Sequence, residues 1–94
     1  MPELARFFGI IIRMHVEVGA QHHLPHFHAH YNDDEAVYTI SKKHRITRLS
    51  GSMPEKQDRL ILAWAEIHKT DLNNAWDRLS DGKWDKNLQI EPLR

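Results

Sequence analysis

Every even position from Phe8 to Val18 is apolar (Phe8, Ile10, Ile12, Met14, Val16, Val18), whereas the odd positions pass from Phe7, Gly9 and Ile11 to Arg13, His15 and Glu17. A period of two is the repeat of a pleated strand, whose successive side chains point to opposite faces. The spacing predicts a strand over residues 7–18, with one face wholly committed to a core and the other opening to water along its length. A chain that starts this way needs a sheet to hold the strand and a layer to cover its apolar side.

Both follow in the sequence. Gly19-Ala20-Gln21 breaks the run, and Pro25 precedes a second alternating segment, in which Phe27, Ala29 and Tyr31 oppose His26, His28 and His30. This predicts a strand over 26–31. Asn32-Asp33-Asp34 is a turn by composition, residues 36–40 (AVYTI) form a third strand, and a weaker fourth, 45–49, follows the polar turn Ser41-Lys42-Lys43. Ser52-Met53-Pro54-Glu55 fits a capping box at a helix start. Beyond it Leu60, Ile61, Trp64, Ile67, His68, Leu72, Ala75, Trp76 and Leu79 fall on one side of a helix over 53–80, which Gly82 can stop. The stripe drifts around Lys69-Thr70-Asp71, leaving open one long helix or a bent pair. Leu88 and Ile90 before Pro92 suggest a terminal extended edge segment over 88–92.

The fold class expected is α+β: a small antiparallel sheet of about four strands, one face covered by a long amphipathic helix and the other left open. With 94 residues, 40% hydrophobic and 28% charged, the chain can close one modest core, so residues 1–94 read as a single domain. Lys plus Arg and Asp plus Glu balance at 13 each, so attraction to nucleic acid or an anionic surface has to come from a local patch. No cysteine is present, which excludes disulfides and thiolate zinc clusters and suits a cytoplasmic setting. The apolar segment between Arg6 and Arg13 is far shorter than the ~20 residues of a spanning helix and reads as a core strand, so no membrane partner is expected.

If the even positions of the first strand and the Phe27 side of the second both meet the helix, then Arg13, His15, Glu17, His26, His28 and His30 share the open face. Two chemistries fit such a set. Imidazoles at i and i+2 of a strand can converge on a divalent transition metal, zinc or nickel, with His28, His30 and His15 as ligands. Without metal, Arg13 with these histidines supplies acid, base and charge stabilisation for cleaving RNA at its 2′-hydroxyl. The plainer reading is a solvated face of mixed polarity. In the basic run 42–48, Lys42, Lys43, Arg45 and Arg48 can track a phosphate backbone, or the run is a solvated hairpin. His68 lies mid-stripe, four residues after Trp64 and three before Asp71, and these three read as structural: an imidazole tied to Asp71 or to the sheet, beside a core indole. Trp84 is a clasp on the domain or an exposed contact.

Met1-Pro2-Glu3, Arg6-Phe7-Phe8-Gly9-Ile10, Ile12-Arg13-Met14, Pro25-His26-Phe27-His28-Ala29 with Tyr31, Gly51-Ser52-Met53-Pro54, Trp64-Ala65-Glu66-Ile67-His68 and Ile90-Glu91-Pro92-Leu93 occur in order. In these motifs the chain resembles the bacterial domain of unknown function 4160 family. The resemblance implies a partner of a small neighbouring domain in toxin–antitoxin-like gene pairs, and by position it singles out Phe8, Gly9, Arg13, His26, Phe27, His28, Trp64 and His68. His22, His23 and His30 depart from the family pattern. Three readings result. The first is a toxin–antitoxin-like component acting on RNA through Arg13, His26 and His28. The second is a non-enzymatic module whose edge strand or Trp84 region docks a small partner protein or a second copy, and the third is a histidine-based transition-metal binder.

Overall fold

Gly9 divides the first alternating segment. In the computed structural model, which describes residues 3–16, 24–41, 43, 45–83 and 89–93, the chain runs as β1 (Glu3–Phe7), a tight turn at Phe8-Gly9, and β2 (Ile10–Arg13). Both turn residues have positive φ, +47° at Phe8 and +79° at Gly9, the pattern of a type I′ hairpin whose twist matches that of its strands. The expected single strand over 7–18 is thus corrected to a hairpin, and its residues 17 and 18 lie outside the described ones. Phe8, expected in the core, stands exposed at the tip, while Phe7 pairs with Ile10 and both are buried.

β3 (His26–Tyr31), β4 (Asp34–Thr39) and β5 (Thr47–Gly51) complete a five-stranded sheet in the order β1-β2-β3-β4-β5, every pair antiparallel. The α+β class and the antiparallel sheet therefore stand, with five strands in place of about four. The register sorts the side chains cleanly: Ile12 pairs with Ala29, Ala29 with Ala36, and Phe27 with Tyr38, all buried on one face. Opposite that face Arg13 pairs with His28 and Ile11 with His30. A β-bulge at Leu49 of β5 sits opposite the Val37–Tyr38 step of β4.

Two helices, α1 (Glu55–Ile67) and α2 (Lys69–Ser80), cover the apolar face where one long helix over 53–80 was among the expectations. They meet at His68, whose φ of −106° and ψ of 23° depart from helical values, although its N–H still donates to Trp64 O and its carbonyl accepts from Leu72 N–H. Asn73, buried in α2, ties this bend to the sheet by donating from Nδ2 to Ile40 O and to Lys69 O, both at 2.9 Å. The expected capping box is not formed. Pro54 is the N-cap residue, and the Ser52 hydroxyl donates instead to Asp34 Oδ1 (2.9 Å) while its N–H reaches Glu35 O, so Ser52 holds the helix start against β4. Glu55 and Asp58 in the first turn favour the positive end of the helix dipole. At the far end Gly82, φ +71°, and Lys83 donate to Leu79 O and Arg78 O, a Schellman ending that fits the glycine stop.

Trp64 anchors the core. Its ring lies 5.3 Å from Phe7 and 5.9 Å from Phe27, which stacks on Tyr38, and it is fully buried. Burial of each such side chain contributes roughly 1.5–3 kcal/mol. The Trp64 indole N–H donates to Glu91 O, and Ile90 N–H donates to Leu4 O at the edge of β1. The terminal segment, expected as an edge strand over 88–92, meets β1 through this one backbone bond and is not a strand among its described residues 89–93; Leu88 lies outside the described residues. Among those residues no helix is long and apolar enough to cross a membrane.

Candidate functional site: an Arg/His/Glu face

The hairpin turn Asn32-Asp33, with Asn32 at φ +52°, sets the pairing of β3 and β4 so that Tyr31 opposes Asp34 and His30 opposes Glu35. One strand over, β2 brings Arg13 opposite His28. These two registers assemble Arg13, His26, His28, His30 and Glu35 on the sheet face opposite Phe27 and Ala29, where His26 also meets α2. Glu35 is the member that sequence reasoning missed. It hides in the polar run Asn32-Asp33-Asp34-Glu35, and counting out from a two-residue turn would have placed it beside the histidines.

Glu35 reaches both neighbours: Oε1 lies 3.2 Å from His28 Nδ1 and Oε2 lies 4.0 Å from His30 Nδ1. His26 Nδ1 is 2.8 Å from Leu24 O. A carbonyl or carboxylate oxygen only accepts, so in His26 and His28 the Nδ1 nitrogen carries the proton, and Nε2 of the neutral ring is left with a free lone pair. The two rings are 5.5 Å apart, edge to face, and the far side of His26 packs on Trp76 of α2 at 5.0 Å. His28 keeps 20% of its side chain exposed and His30 28%. His30 Nε2 and Arg13 Nε are enclosed and have no hydrogen-bond partner.

At the β1 side of the same row Glu3 opposes Arg13. The Arg6 hydrogen bond to Glu3 (2.7 Å), aided by the charges of Arg6 and Arg13, holds the Glu3 carboxyl below the usual range. The row therefore reads Glu3, Arg13, His28, Val37, Ser50 across the sheet.

The three-histidine metal set is not assembled. His15 lies exposed two residues past the end of β2, the neighbour of His28 across the strands is the cationic Arg13, and among the described residues no group of three or more histidine or acidic side chains is placed to hold a metal ion. A guanidinium next to the candidate ligands disfavours a divalent cation there by simple repulsion. The basic run does not form one surface either. Lys43 and Arg45 are exposed, but Arg48 pairs with Tyr38 on the helix side of the sheet, 3.9 Å from Asp58, and Lys42 lies outside the described residues. So do His22, His23 and Trp84. His68, Trp64 and Asp71 come together apart from this face: the His68 ring is 5.5 Å from Trp64, and its Nδ1 is 3.4 Å from Asp71 Oδ2.

Fold and face together define a small α+β domain in which an antiparallel meander, backed by a bent helix pair, presents an arginine and three histidines, two of them beside one carboxylate. The chain belongs to the family described as domain of unknown function (DUF4160), whose model matches residues 9–77. That span takes in β2 to β5 and every residue of the Arg/His/Glu face, and it leaves out the motifs at 1–8 and 90–93. No curated protein and no solved structure matches the chain.

Proposed function

We propose that the domain cleaves or grips RNA at a phosphodiester without metal, with Arg13, His26 and His28 as the working groups. The observation that carries this reading is the His26–His28 pair: two imidazoles 5.5 Å apart, each with Nδ1 engaged locally and Nε2 left for a substrate. In the reaction His28 Nε2 takes the proton of a ribose 2′-hydroxyl as the 2′-oxygen attacks phosphorus. His26, as imidazolium, gives a proton to the departing 5′-oxygen, so the products are a 2′,3′-cyclic phosphate and a 5′-hydroxyl. Glu35 orients His28 and offsets its positive charge after proton uptake, and Arg13, in register with His28, stabilises the charge growing on the phosphoryl oxygens. On this reading the activity is cytoplasmic and forms one half of a toxin–antitoxin-like pair, restrained by a small protein from a neighbouring gene.

The test is direct. Wild-type chain and a folded Arg13→Ala/His28→Ala variant are expressed to equal levels in a bacterial host and incubated, purified, with short RNA. Arrest and cyclic-phosphate products from the wild type alone are expected, with the loss of one acid/base partner worth about 10²–10⁴ in rate. Equal behaviour of the two proteins refutes the assignment.

A second reading rests on β5. Every residue of this edge strand is exposed, so its outer backbone groups can template a strand from a partner protein or a second copy. On this reading the domain is a non-enzymatic binding module, and a mixed sheet formed with a partner would place Leu49 in the contact.

A further inference from the structure

Thr47 and Leu49, two positions apart on β5, face the same side of the sheet and line a depression of about 390 Å³ with Leu24, Thr39, Ser41 and Arg45. Thr39 is the direct cross-strand partner of both His26 and Thr47, so the depression begins about 5 Å from the backbone of His26, on the same face. Its walls are mostly apolar: Leu24 and Leu49 hold 59% and 51% of their surface in water, a cost to solvation that folding does not recover. The hydroxyl of Thr39 is already engaged, donating to Pro25 O and accepting from Ser41 N–H. Among the described residues no acidic side chain lines the depression, Arg45 does, and Lys43 is exposed in the same loop.

An apolar dimple with a lining guanidinium, one register step from a proposed phosphoryl-transfer pair, matches one occupant best. We propose that this depression is a nucleobase subsite: it takes one unpaired base of an RNA strand against Leu24 and Leu49 while Arg45 meets an adjoining phosphate and the neighbouring phosphodiester lies at His26 and His28. The inference rests on the RNA reading above and adds a binding site that reading did not assign. A base has an apolar face and is tethered to a charge, so it satisfies both kinds of wall; an apolar peptide side chain satisfies only the leucines.

The experiment uses the whole chain and a fluorescent 2′-O-methyl oligouridylate, which cannot be cleaved, beside an abasic oligomer of equal charge. Binding is read by anisotropy for wild type, Leu49→Ala and Arg45→Ala. Leu49→Ala should weaken the base-bearing oligomer roughly tenfold and leave the abasic one unchanged. Arg45→Ala should weaken both and reduce the salt slope by about one. Wild-type binding that Leu49→Ala leaves intact, or that it weakens equally for both oligomers, overturns the subsite alone. A wild type that binds neither oligomer overturns the subsite together with the RNA reading. A wild type that instead self-associates through Leu49, read by sedimentation, overturns it in favour of a second copy of the chain.

Discussion

Gly51→Ala is the substitution to which the sheet should be least tolerant. Gly51 closes β5 with φ +86°, and a methyl group built on its Cα would stand 2.2 Å from Glu35 O and 2.7 Å from Ala36 Cα. Both are backbone atoms of the neighbouring strand, so no rotamer change relieves the overlap. The positive φ alone costs a non-glycine residue about 1–2 kcal/mol. Moving β5 away from β4 also stretches the Ser52 N–H···O=C Glu35 bond (3.1 Å), worth about 1 kcal/mol, and loosens the Ala36–Gly51 pair. The loss should therefore be at least about 3 kcal/mol, a large part of the total stability of a small domain. At about 4–8 °C per kcal/mol this lowers Tm by roughly 10–25 °C. Gly9→Ala is the control: its φ of +79° is similar, but the nearest atom is Tyr31 Cε1 at 3.3 Å, the movable edge of a ring. It should cost only the backbone term, about 1–2 kcal/mol. Thermal unfolding followed by circular dichroism measures both. A Gly51→Ala Tm within a few degrees of wild type, or no lower than that of Gly9→Ala, refutes the close-approach argument.

Other substitutions test separate parts of the structure. Glu35→Gln keeps the shape of the face but removes its carboxylate, and should lower RNA cleavage by roughly 10–100-fold, the usual effect of removing the group that orients a working imidazole, with Tm little changed. Asn73→Ala strips the Ile40 and Lys69 carbonyls of their shared donor at a buried site and should cost about 2 kcal/mol in urea unfolding. Tyr38 donates to Asp58 Oδ1 at 2.7 Å, and its burial, with that hydrogen bond and the Asp58 charge, pushes the phenol pKa well up. Folding thus favours the protonated phenol. Its contribution is complete below about pH 10, where an unfolded tyrosine titrates, and is lost progressively as pH rises beyond that. Tyr38→Phe should flatten this alkaline decline in stability, read by chemical denaturation across pH 8–12; an unchanged slope would refute the assignment.

How far the sequence disclosed this arrangement can be followed through single residues. The period-two pattern of Ile10, Ile12 and Met14 against Ile11 and Arg13 placed Arg13 on the open face, and that inference survives because it used residues on one side of the turn only. Extending the pattern back through Gly9 put Phe8 inside. In a two-residue hairpin the partners are i and i+3, so Phe7 and Ile10 share a face and the parity changes at the turn. A glycine inside a strand pattern was the available warning. The capping box failed for another reason. Its spacing is correct, but Asp34 competes for the Ser52 hydroxyl across 18 residues of sequence, a tertiary contact that no local pattern contains. The bend at His68 was legible as a drift in the stripe, and its position needed the Asn73 bonds to the sheet.

The same register logic explains why site and fold are difficult to separate here. A slip of one residue between β2 and β3 would carry Phe27 and Ala29 to the open face and drive His26 and His28 into the core against Trp64. Burying two imidazoles without partners costs several kcal/mol, so the histidines oppose the misregistered sheet as strongly as Phe27 favours the native one. The alternation of histidine with aromatic and small residues in β3 thus has a structural use that is independent of catalysis. Substituting His28 alone should leave the register intact, because Phe27, Ala29, Ile10 and Ile12 still define the buried face. Activity and stability are therefore separable at this residue, and a His28→Ala chain that melts with the wild type while losing its action on RNA would identify the imidazole as chemical rather than architectural.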